Sequence, residues 1–347
     1  RFSVILILIL VHFQGTAYSV WTDAILYLII VLLSIITAVG FWKKKETLKI
    51  NMPELFISLF LIYLLLNNGI KDSLWDNERL LNYLVAFFMY FILTFLYERD
   101  KKILNYLFYG IVISTFLEIT VGLGQIFGII PNSDSQFVLG GVFGNPGAYA
   151  GHLAVVSPFI LAFILYYKEK FVSENFYYTL IICLVSAVFL IIISDSRGAW
   201  LSLFVGVLVV LNYKYKINDY ISRHLKSLKA KLLAGVVVLT GMVLILFVLY
   251  QYKPESAFGR LFVWKVSKEM AFVKPISGNG FGFFEASYGK VQAQYFTGNI
   301  VPENERAVAD YVTCAYNEFL EMFIESGFIG LALFSIILFL ALFQRSS

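Results

Sequence analysis

The chain has 347 residues, of which 59% are hydrophobic and only 14% are charged. Soluble domains carry about 25% charged residues, so this composition excludes an ordinary soluble protein and indicates an integral membrane protein. The net charge of +4 is informative only through the positions of the basic residues relative to the apolar segments. The 2 cysteines and 3 histidines are too dispersed for a disulfide framework or a metal site, so no metal or other cofactor is expected.

Apolar segments recur along the whole chain, and about ten of them are predicted to be transmembrane helices. They are 2–13, 21–42, 53–70, 80–97, 103–130, 147–167, 176–193, 198–212, 232–250 and 327–343. The first is shorter than the ~20 residues that a spanning helix needs. With Arg1 in place of a Met, this predicts a chain trimmed at its start. The predicted fold class is an all-α polytopic membrane protein.

The polar connections between these segments alternate in charge. Four of them are rich in Lys and Arg: 43–49, 98–102, 168–175 and 213–231. The opposite short connections hold only Lys71, Arg79 and Arg197. By the positive-inside rule the first group is predicted to be cytoplasmic, and the second group is predicted to lie outside together with the long segment 251–315.

This topology predicts three parts in the chain. Residues 1–250 are expected to form a transmembrane helix bundle, 251–315 a large external loop with amphipathic helices, and 316–347 a leading helix with the last span. Loops longer than about 15 residues are usually functional or disordered. The many aromatic residues of 251–315 argue against disorder, so this loop is expected to be folded and functional.

A charged pair, Asp195 and Arg197, lies in SDSRGAW at the junction of two apolar segments. The following apolar run, 199–211, is about 20 Å long as a helix, short of a ~30 Å hydrocarbon core. Arg197 is therefore expected at or below the outer membrane interface, where an arginine usually faces a cavity or a partner. Two interpretations stay open: a pair that caps the helix and snorkels to the headgroups, or an anion-binding role.

A second cationic stretch, ESAFGRLFVWKVSKEMAFVKP, lies in the external loop. It predicts a helix with an N-cap at Ser256 and a stop at Pro275. Arg260, Trp264 and Lys268 recur every four residues, so they share one face of that helix. An amphipathic helix of this kind suits the membrane interface, and its arginine suits a phosphate carried on a lipid.

Other polar groups are weaker candidates. The glycines at 278, 280 and 282 form a GxGxG string, but no βαβ unit surrounds it, so a turn is favoured over a dinucleotide site. Asn145, before Pro146, predicts a turn at the outer end of the sixth span with an amide free to bind. Glu118 and Gln125 lie within the fifth span, where interhelical hydrogen bonding and a site explain them equally.

The segment after 315 mixes acidic and apolar residues. Glu318, Glu321 and Glu325 alternate with Phe and Met residues. This pattern predicts an amphipathic helix that leads into the last span after Gly327.

Four stretches, taken in order, resemble the O-antigen ligase and O-antigen polymerase family of bacterial membrane glycosyltransferases, which includes protein O-oligosaccharyltransferases. They are GVFGNPGAYAG, SDSRGAWLSL, GRLFVWKVSKEMAFVKPISGNGFGFF and YNEFLEMFIESGFIGL. The resemblance covers roughly residues 100–343, and it implies about twelve spans with one large periplasmic loop before a late helix.

The resemblance also implies an activity, partners and a location. The enzyme would move a glycan from undecaprenyl pyrophosphate to an acceptor hydroxyl on lipid A core, on a protein Ser or Thr, or on a growing polysaccharide. Its partners would be this lipid-linked donor, the acceptor and the lipid bilayer, with no nucleic acid. The active site would face the periplasm from the bacterial inner membrane, and no metal would take part.

Residue by residue, the resemblance assigns the two central arginines. Arg197 matches an arginine at a periplasmic helix start, and Arg260 matches the arginine that opens the loop helix. Both are expected to converge on the pyrophosphate, since stabilising developing charge is where catalysis gains most. Four further residues are candidates for donor binding: Asn145, Asp195, Trp264 and Lys268.

The sequence departs from the family where the last helix begins. The family's usual His-Asn is Tyr316-Asn317 here, so Tyr316, Asn317 and Glu318 are the remaining candidate catalytic residues. A phenol with a pKa near 10 is a poor base at neutral pH unless nearby arginines depress it. The base is therefore left open between Tyr316, Glu318, Asp195 and His152.

The alternative function is a transporter or flippase for a lipid-linked anionic glycan, which would have similar spans and basic cavity residues. Such proteins often contain paired repeats with broken helices, and the sequence has none. A glycosyltransferase with an acidic metal-binding motif is disfavoured, because KDSLWDNERL has no acidic partner motif.

Overall fold

The computed structural model describes residues 28–33, 51–71, 77–167, 174–224, 227–252, 254–298 and 300–343. Within these ranges the regular structure is helical and no strand occurs. Eight of the described helices are long and apolar enough to cross a membrane. The chain is therefore an all-α polytopic membrane protein, as predicted. The predicted segment 2–13 and most of 21–42 lie outside the described residues.

Twelve helices follow residue 51 in the described part of the chain. Helices α1 to α6 are Met52–Ile70, Glu78–Arg99, Ile103–Ile126, Pro146–Tyr167, Glu174–Ile193 and Arg197–Tyr215. Helices α7 to α12 are Ile217–His224, Leu228–Tyr252, Pro254–Ala271, Phe284–Gly298, Glu303–Ala307 and Glu318–Phe343. The candidate spans are α1 to α6, α8 and α12.

Two helix ends differ from the sequence prediction. Helix α3 ends at Ile126, short of the predicted 130, and Gly128 beyond it has a φ of 69°. Helix α9 begins at Pro254, so the predicted N-cap at Ser256 is wrong. Proline is favoured in a first helical turn because its missing N–H has no partner there anyway. The same helix ends at Ala271, just ahead of the predicted stop at Pro275.

The chain divides into two compact units, and the first comprises Arg1–Ile35 and Leu93–Val243. Its described core is formed by α3 to α6, with α4 packed against both α5 and α6. Tyr149, Leu153 and Leu190 are fully buried there. Gly206 of α6 lies so close to Pro158 of α4 that a Cβ on the glycine would overlap the proline ring.

Two polar side chains inside α3 hold the loop that precedes α4. Gln125 Oε1 accepts the Gly140 and Gly141 N–H groups at 3.0 and 2.8 Å, and its Nε2 donates to the Gly141 oxygen at 3.0 Å. Glu118 Oε2 accepts the Val142 N–H at 3.4 Å. Hydrogen bonding within the bundle therefore explains Gln125 and Glu118, because their oxygens satisfy loop backbone that would otherwise be buried unpaired.

The second unit comprises Ile36–Ile92 and Leu244–Ser347. In it α1 packs along α12, and α9 packs against α10 and α12. The core between α9, α10 and α12 is aromatic and aliphatic, with Phe262 and Val266 of α9 against Phe284 and Tyr288 of α10 and Ile324 of α12. The long segment between the last two spans is thus folded, around a hydrophobic core that it shares with α12.

Helix α12 breaks at Gly327, which has φ 66° and ψ −168°. This confirms the predicted leading helix followed by a span. The acidic face of this helix points into the protein, the reverse of an amphipathic helix in water. Glu321 and Glu325 are buried, whereas Phe319 and Phe328 are 53% and 66% exposed. Apolar side chains facing outward and acids facing inward are what a lipid environment favours.

We expect Gly327→Ala to destabilise the folded chain by about 1–3 kcal/mol, because its backbone conformation is essentially restricted to glycine. An added Cβ would also overlap the backbone of Ile276. Gly289→Ala on α10 is the matched control, since nothing lies within 4 Å of a Cβ there. Thermal unfolding in detergent should show a lower Tm for the first variant only, and equal Tm values would contradict this account.

Candidate active site

Two predicted catalytic residues meet in the second unit. The guanidinium carbon of Arg260 in α9 lies 5.4 Å from the ring centroid of Tyr316, just ahead of α12. Both side chains are exposed. Across the ranges the structure describes, no carboxylate forms an ion pair with Arg260. Its cationic group is thus held by a ring face while its N–H donors stay available to an anion.

The periodicity of α9 explains why Arg260 projects outward. Phe262, Val263 and Val266 are buried in the core of the second unit, which turns the opposite side of the helix outward. Trp264 is half-buried on the predicted face, and Lys268 is exposed one further turn along. Helix α9 therefore presents two cations with an indole between them, as predicted from their spacing.

The peptide that precedes Tyr316 is held from both sides. Trp264 Nε1 donates to the Ala315 oxygen at 2.8 Å, and the Ala315 N–H donates to Glu321 Oε2 at 2.7 Å. Tyr316 itself has a φ of 52°. For a bulky residue this left-handed conformation costs roughly 1–2 kcal/mol, so it persists only where the surroundings impose it. Trp264, expected to bind the donor, thus also positions the site backbone.

Asn317 and Glu318 open α12 in different roles. Asn317 Oδ1 accepts the Leu320 N–H at 3.2 Å, which is an N-cap of the helix. The Glu318 side chain is 68% exposed, and its carboxylate lies 3.7 Å from Arg79 Nη2. The side-chain oxygen of Asn317 is therefore used structurally, whereas the Glu318 carboxylate is accessible beside Tyr316.

The pKa of Tyr316 is raised from its ordinary value. Burial of the phenol is the main cause, and the neighbouring Cys314 and Asp310 act in the same direction. Arg260 acts to lower this pKa but does not outweigh them. To serve as a base at neutral pH, Tyr316 would need a pKa depressed by nearby arginines, and its pKa is raised instead. At neutral pH its phenol is protonated and can donate a hydrogen bond.

A second phenol, Tyr288, lies beside the first. Its ring is buried in the core of the second unit. Burial and the neighbouring Tyr316 raise the pKa of Tyr288 to about 12. Its hydroxyl finds no hydrogen-bond partner among the residues that the structure describes. Sequence reasoning missed Tyr288, because a tyrosine in an aromatic stretch cannot be told from a core residue by pattern.

Sequence reasoning also missed the role of Arg79, which it used only as a sign of topology. Arg79 forms ion pairs with Glu321 and Glu325 of α12, besides the looser one with Glu318. Residues 72–76 of the stretch KDSLWDNERL lie outside the described residues. Arg79 near its end pairs with acids of α12, and within the described residues no group of His, Cys, Asp and Glu could hold a metal ion.

The GxGxG string forms a backbone turn tied to α1. Lys71 Nζ donates to the Ser277 and Gly278 oxygens at 2.7 Å each, and burial together with Lys274 lowers the pKa of Lys71 to about 8. Asn68 pairs with both the N–H and the oxygen of Phe281, at 2.8 and 3.0 Å. The turn is a structural element, as its sequence predicts.

Two further candidates, Asp195 and Arg197, belong to the first unit. Arg197 is the first residue of α6, Ser196 occupies the N-cap position, and Asp195 has a φ of 56°. Trp200 Nε1 donates to the Ile191 oxygen at 2.9 Å and so ties α6 to the end of α5. The turn that carries Arg197 is thus sharply bent and held in place.

Asn145 and His152 also belong to the first unit. Asn145 Oδ1 accepts the N–H groups of Gly147 and Ala148 at 2.8 and 3.3 Å, so it is the N-cap of α4. Its side chain is therefore not the wholly free amide that the sequence suggested, because its oxygen is used. The ring of His152 lies 5.7 Å from that of Phe143.

The comparisons with known proteins single out one part of the chain. The family model described as O-antigen ligase matches residues 181–335. This range contains eight of the nine candidate site residues and leaves out Asn145; the eight are Asp195, Arg197, Arg260, Trp264, Lys268, Tyr316, Asn317 and Glu318. No curated protein and no solved structure matches the chain. This part of the chain is thus similar to the O-antigen ligase family.

Proposed function

We propose that this chain transfers a glycan from undecaprenyl pyrophosphate to an acceptor hydroxyl, without a divalent metal. The observation that supports this most is the arrangement of Arg260 and Tyr316. An arginine with no carboxylate partner in the described ranges stacks on an exposed phenol, next to a backbone fixed by Trp264 and Glu321. The match of residues 181–335 to the O-antigen ligase family model supports the reaction class.

The arginines act on the leaving group. The acceptor oxygen attacks the anomeric carbon of the glycan, the bond from that carbon to the pyrophosphate oxygen breaks, and the lipid pyrophosphate departs with the electron pair. Arg260 donates charge-assisted hydrogen bonds to the phosphate oxygens, a geometry that the planar guanidinium favours. Arg197 contributes a second set, as the family resemblance implies. Two arginines supply the charge that a metal would otherwise provide.

The proton of the acceptor hydroxyl passes to Glu318. This carboxylate is exposed and only loosely paired with Arg79, and it follows Tyr316 by two residues in the same turn. The raised pKa of Tyr316 argues against this residue as the base, so we assign it a hydrogen bond donated to the sugar or the phosphate. Lys268 lies about 12 Å along α9 from Arg260 at 1.5 Å per residue, which suits a more distant part of the donor.

Asp195 and Asn145 of the first unit stay candidates for donor binding in this proposal. The Asp195 carboxylate can accept hydrogen bonds from sugar hydroxyls. The NH₂ group of Asn145 can donate to sugar oxygens, whereas its own oxygen already caps α4. We place the site on the periplasmic face of the inner membrane. The support is the concentration of Lys and Arg in the opposite connections, together with a span order in which α2, α4, α6 and α12 begin at outer connections.

Cysteine labelling tests this orientation. A cysteine replacing Ile300, whose side chain is fully exposed, should react with a membrane-impermeant maleimide in intact spheroplasts. A cysteine replacing exposed Asp219 on α7 should react only after lysis, because the basic connection around it is cytoplasmic. Both are made in a Cys314→Ser background, since Cys314 is partly accessible. The reverse pattern would show that the topology is inverted.

Removing either arginine should slow transfer strongly. Arg260→Ala and Arg197→Ala should each lower kcat about 10²–10³-fold, the loss seen when one oxyanion donor is removed. Arg→Lys should restore part of the rate, because a point charge lacks the bidentate fork. The measurement is transfer from a synthetic polyprenyl-pyrophosphate glycan, normalised to monodisperse protein, with and without excess chelator.

Lys290→Ala, an exposed cation on α10, is the control for net charge and should leave the rate unchanged. Normal specific activity in both arginine variants would disprove the mechanism. Loss of turnover in chelator, restored by Mg²⁺ or Mn²⁺, would disprove metal independence. Lipid translocation by a protein that transfers no glycan would favour the flippase interpretation.

Loss of the base and loss of the phenol should differ in the size of their effect on kcat. Glu318→Gln should lower kcat about 10²–10⁴-fold, as loss of a general base does. Tyr316→Phe should lower kcat less, because the protonated phenol contributes only a hydrogen bond. Tyr316→His should keep or raise activity by restoring the family's usual residue.

Tyr311→Phe is the control for removal of a phenol, since Tyr311 is exposed and only bonds Glu285. An unchanged kcat in Glu318→Gln would rule out Glu318 as the base. A larger loss of kcat in Tyr316→Phe than in Glu318→Gln would return that role to the phenol.

A further inference from the structure

One arginine of α2 gathers three acids of α12. Glu318, Glu321 and Glu325 recur at spacings of three and four, so they share one face of the helix. Arg79 Nη1 donates to Glu321 Oε1 and lies 3.1 Å from Glu325 Oε2, and its Nη2 lies 3.7 Å from Glu318. The guanidinium carbon also lies 5.1 Å from the ring centroid of Phe281. A single cation thus meets three carboxylates.

Stability alone is a poor explanation for this cluster. The Glu321 and Glu325 side chains are 3% and 0% exposed, and Arg79 is 27% exposed. Removing such groups from water costs free energy that their mutual attraction often fails to recover, so apolar replacements of buried ion pairs are frequently as stable. The role of this cluster is therefore to be found in the backbone groups that its carboxylates bind.

The two buried acids use their second oxygens on different backbone groups. Glu321 Oε2 accepts the Ala315 N–H at 2.7 Å, whereas Glu325 Oε1 accepts the Phe284 N–H at 3.1 Å. The first bond leads to the turn of Tyr316, and the second leads to the start of α10. Arg79 is thus connected through Glu321 to the peptide whose other side Trp264 holds.

We propose that Arg79 is a positioning residue for the Tyr316 turn. It fixes the rotamer of Glu321, whose other oxygen then keeps Ala315 in place and Tyr316 in its left-handed conformation under Arg260. This inference rests on the proposed function and extends it to a residue outside the family match, which begins at residue 181. Arg79 acts on the reaction only through Glu321 and the turn.

The two acids provide a matched pair of variants. Both are buried and paired with Arg79, but only Glu321 reaches the Tyr316 turn. Glu321→Gln should lower kcat roughly 10- to 100-fold with little change in KM, since a misplacement of about 1 Å can cost about 10²-fold. Glu325→Gln should lower thermal stability to a similar extent with a much smaller loss of kcat per folded molecule.

Arg79 is tested by a double-mutant cycle. Arg79→Lys should lower kcat in the wild-type background but have little further effect in Tyr316→Phe, because residues that act as one unit are not additive. Arg99→Lys at the other end of α2, where the guanidinium packs on Phe95, is the matched control. Additive losses, or full specific activity in Arg79→Lys and Glu321→Gln, would overturn the proposal.

A readout without turnover separates this inference from the proposed function. Hydrogen–deuterium exchange of the peptide covering 312–318 should speed up in Arg79→Lys and Glu321→Gln, and stay as in wild type in Glu325→Gln and Arg99→Lys. If the wild-type chain transfers no glycan, the proposed function is wrong. The hydrogen–deuterium exchange of 312–318 still tests whether Arg79 positions the Tyr316 turn. Unchanged exchange in Glu321→Gln would overturn the inference, whatever the activity.

Discussion

The second unit depends on one carboxylate that has a partner on each side. Glu321, buried at the start of α12, accepts from Arg79 through one oxygen and from the Ala315 backbone through the other. A buried carboxylate with one oxygen left without a hydrogen bond would lower the stability of the fold. Both bonds are therefore needed together. They join α2, α12 and the backbone before Tyr316, and the left-handed conformation of that residue follows from this restraint. Buried hydrogen bonds beneath the site therefore determine the backbone geometry that the exposed residues present to a ligand.

Charge is distributed unevenly between the interior and the surface of this unit. The two buried acids of α12 share one cation, Arg79, while Arg260 and Lys268 on α9 stay exposed. Across the described residues Arg260 has a ring and no carboxylate as its neighbour. Because the interior acids have Arg79 as their partner, the exposed cations of α9 remain available to an external anion. In the proposed reaction that anion is the pyrophosphate of the lipid-linked donor.

Replacement of the family's usual histidine by Tyr316 changes which group can take a proton. Burial raises the pKa of the phenol, and the buried Tyr288 beside it, with its own raised pKa, adds a second protonated hydroxyl. The exposed phenol of Tyr316 under Arg260 can donate a hydrogen bond. In the proposed mechanism, proton transfer is therefore assigned to Glu318, the exposed carboxylate in the same turn.

The sequence by itself determined the membrane class, the spans within the described residues, the break at Gly327 and the shared face of Arg260, Trp264 and Lys268, because hydrophobic runs and helical periodicity are local properties. It placed the start of α9 three residues late, since Pro254 and Ser256 are both acceptable near a helix start. Only the tertiary structure decided that the acids of α12 face inward, that Trp264 holds Ala315 and that Arg79 reaches Glu321 from 242 residues away. Such contacts depend on which helices pack together, and residues far apart in the chain carry no local signal of their pairing.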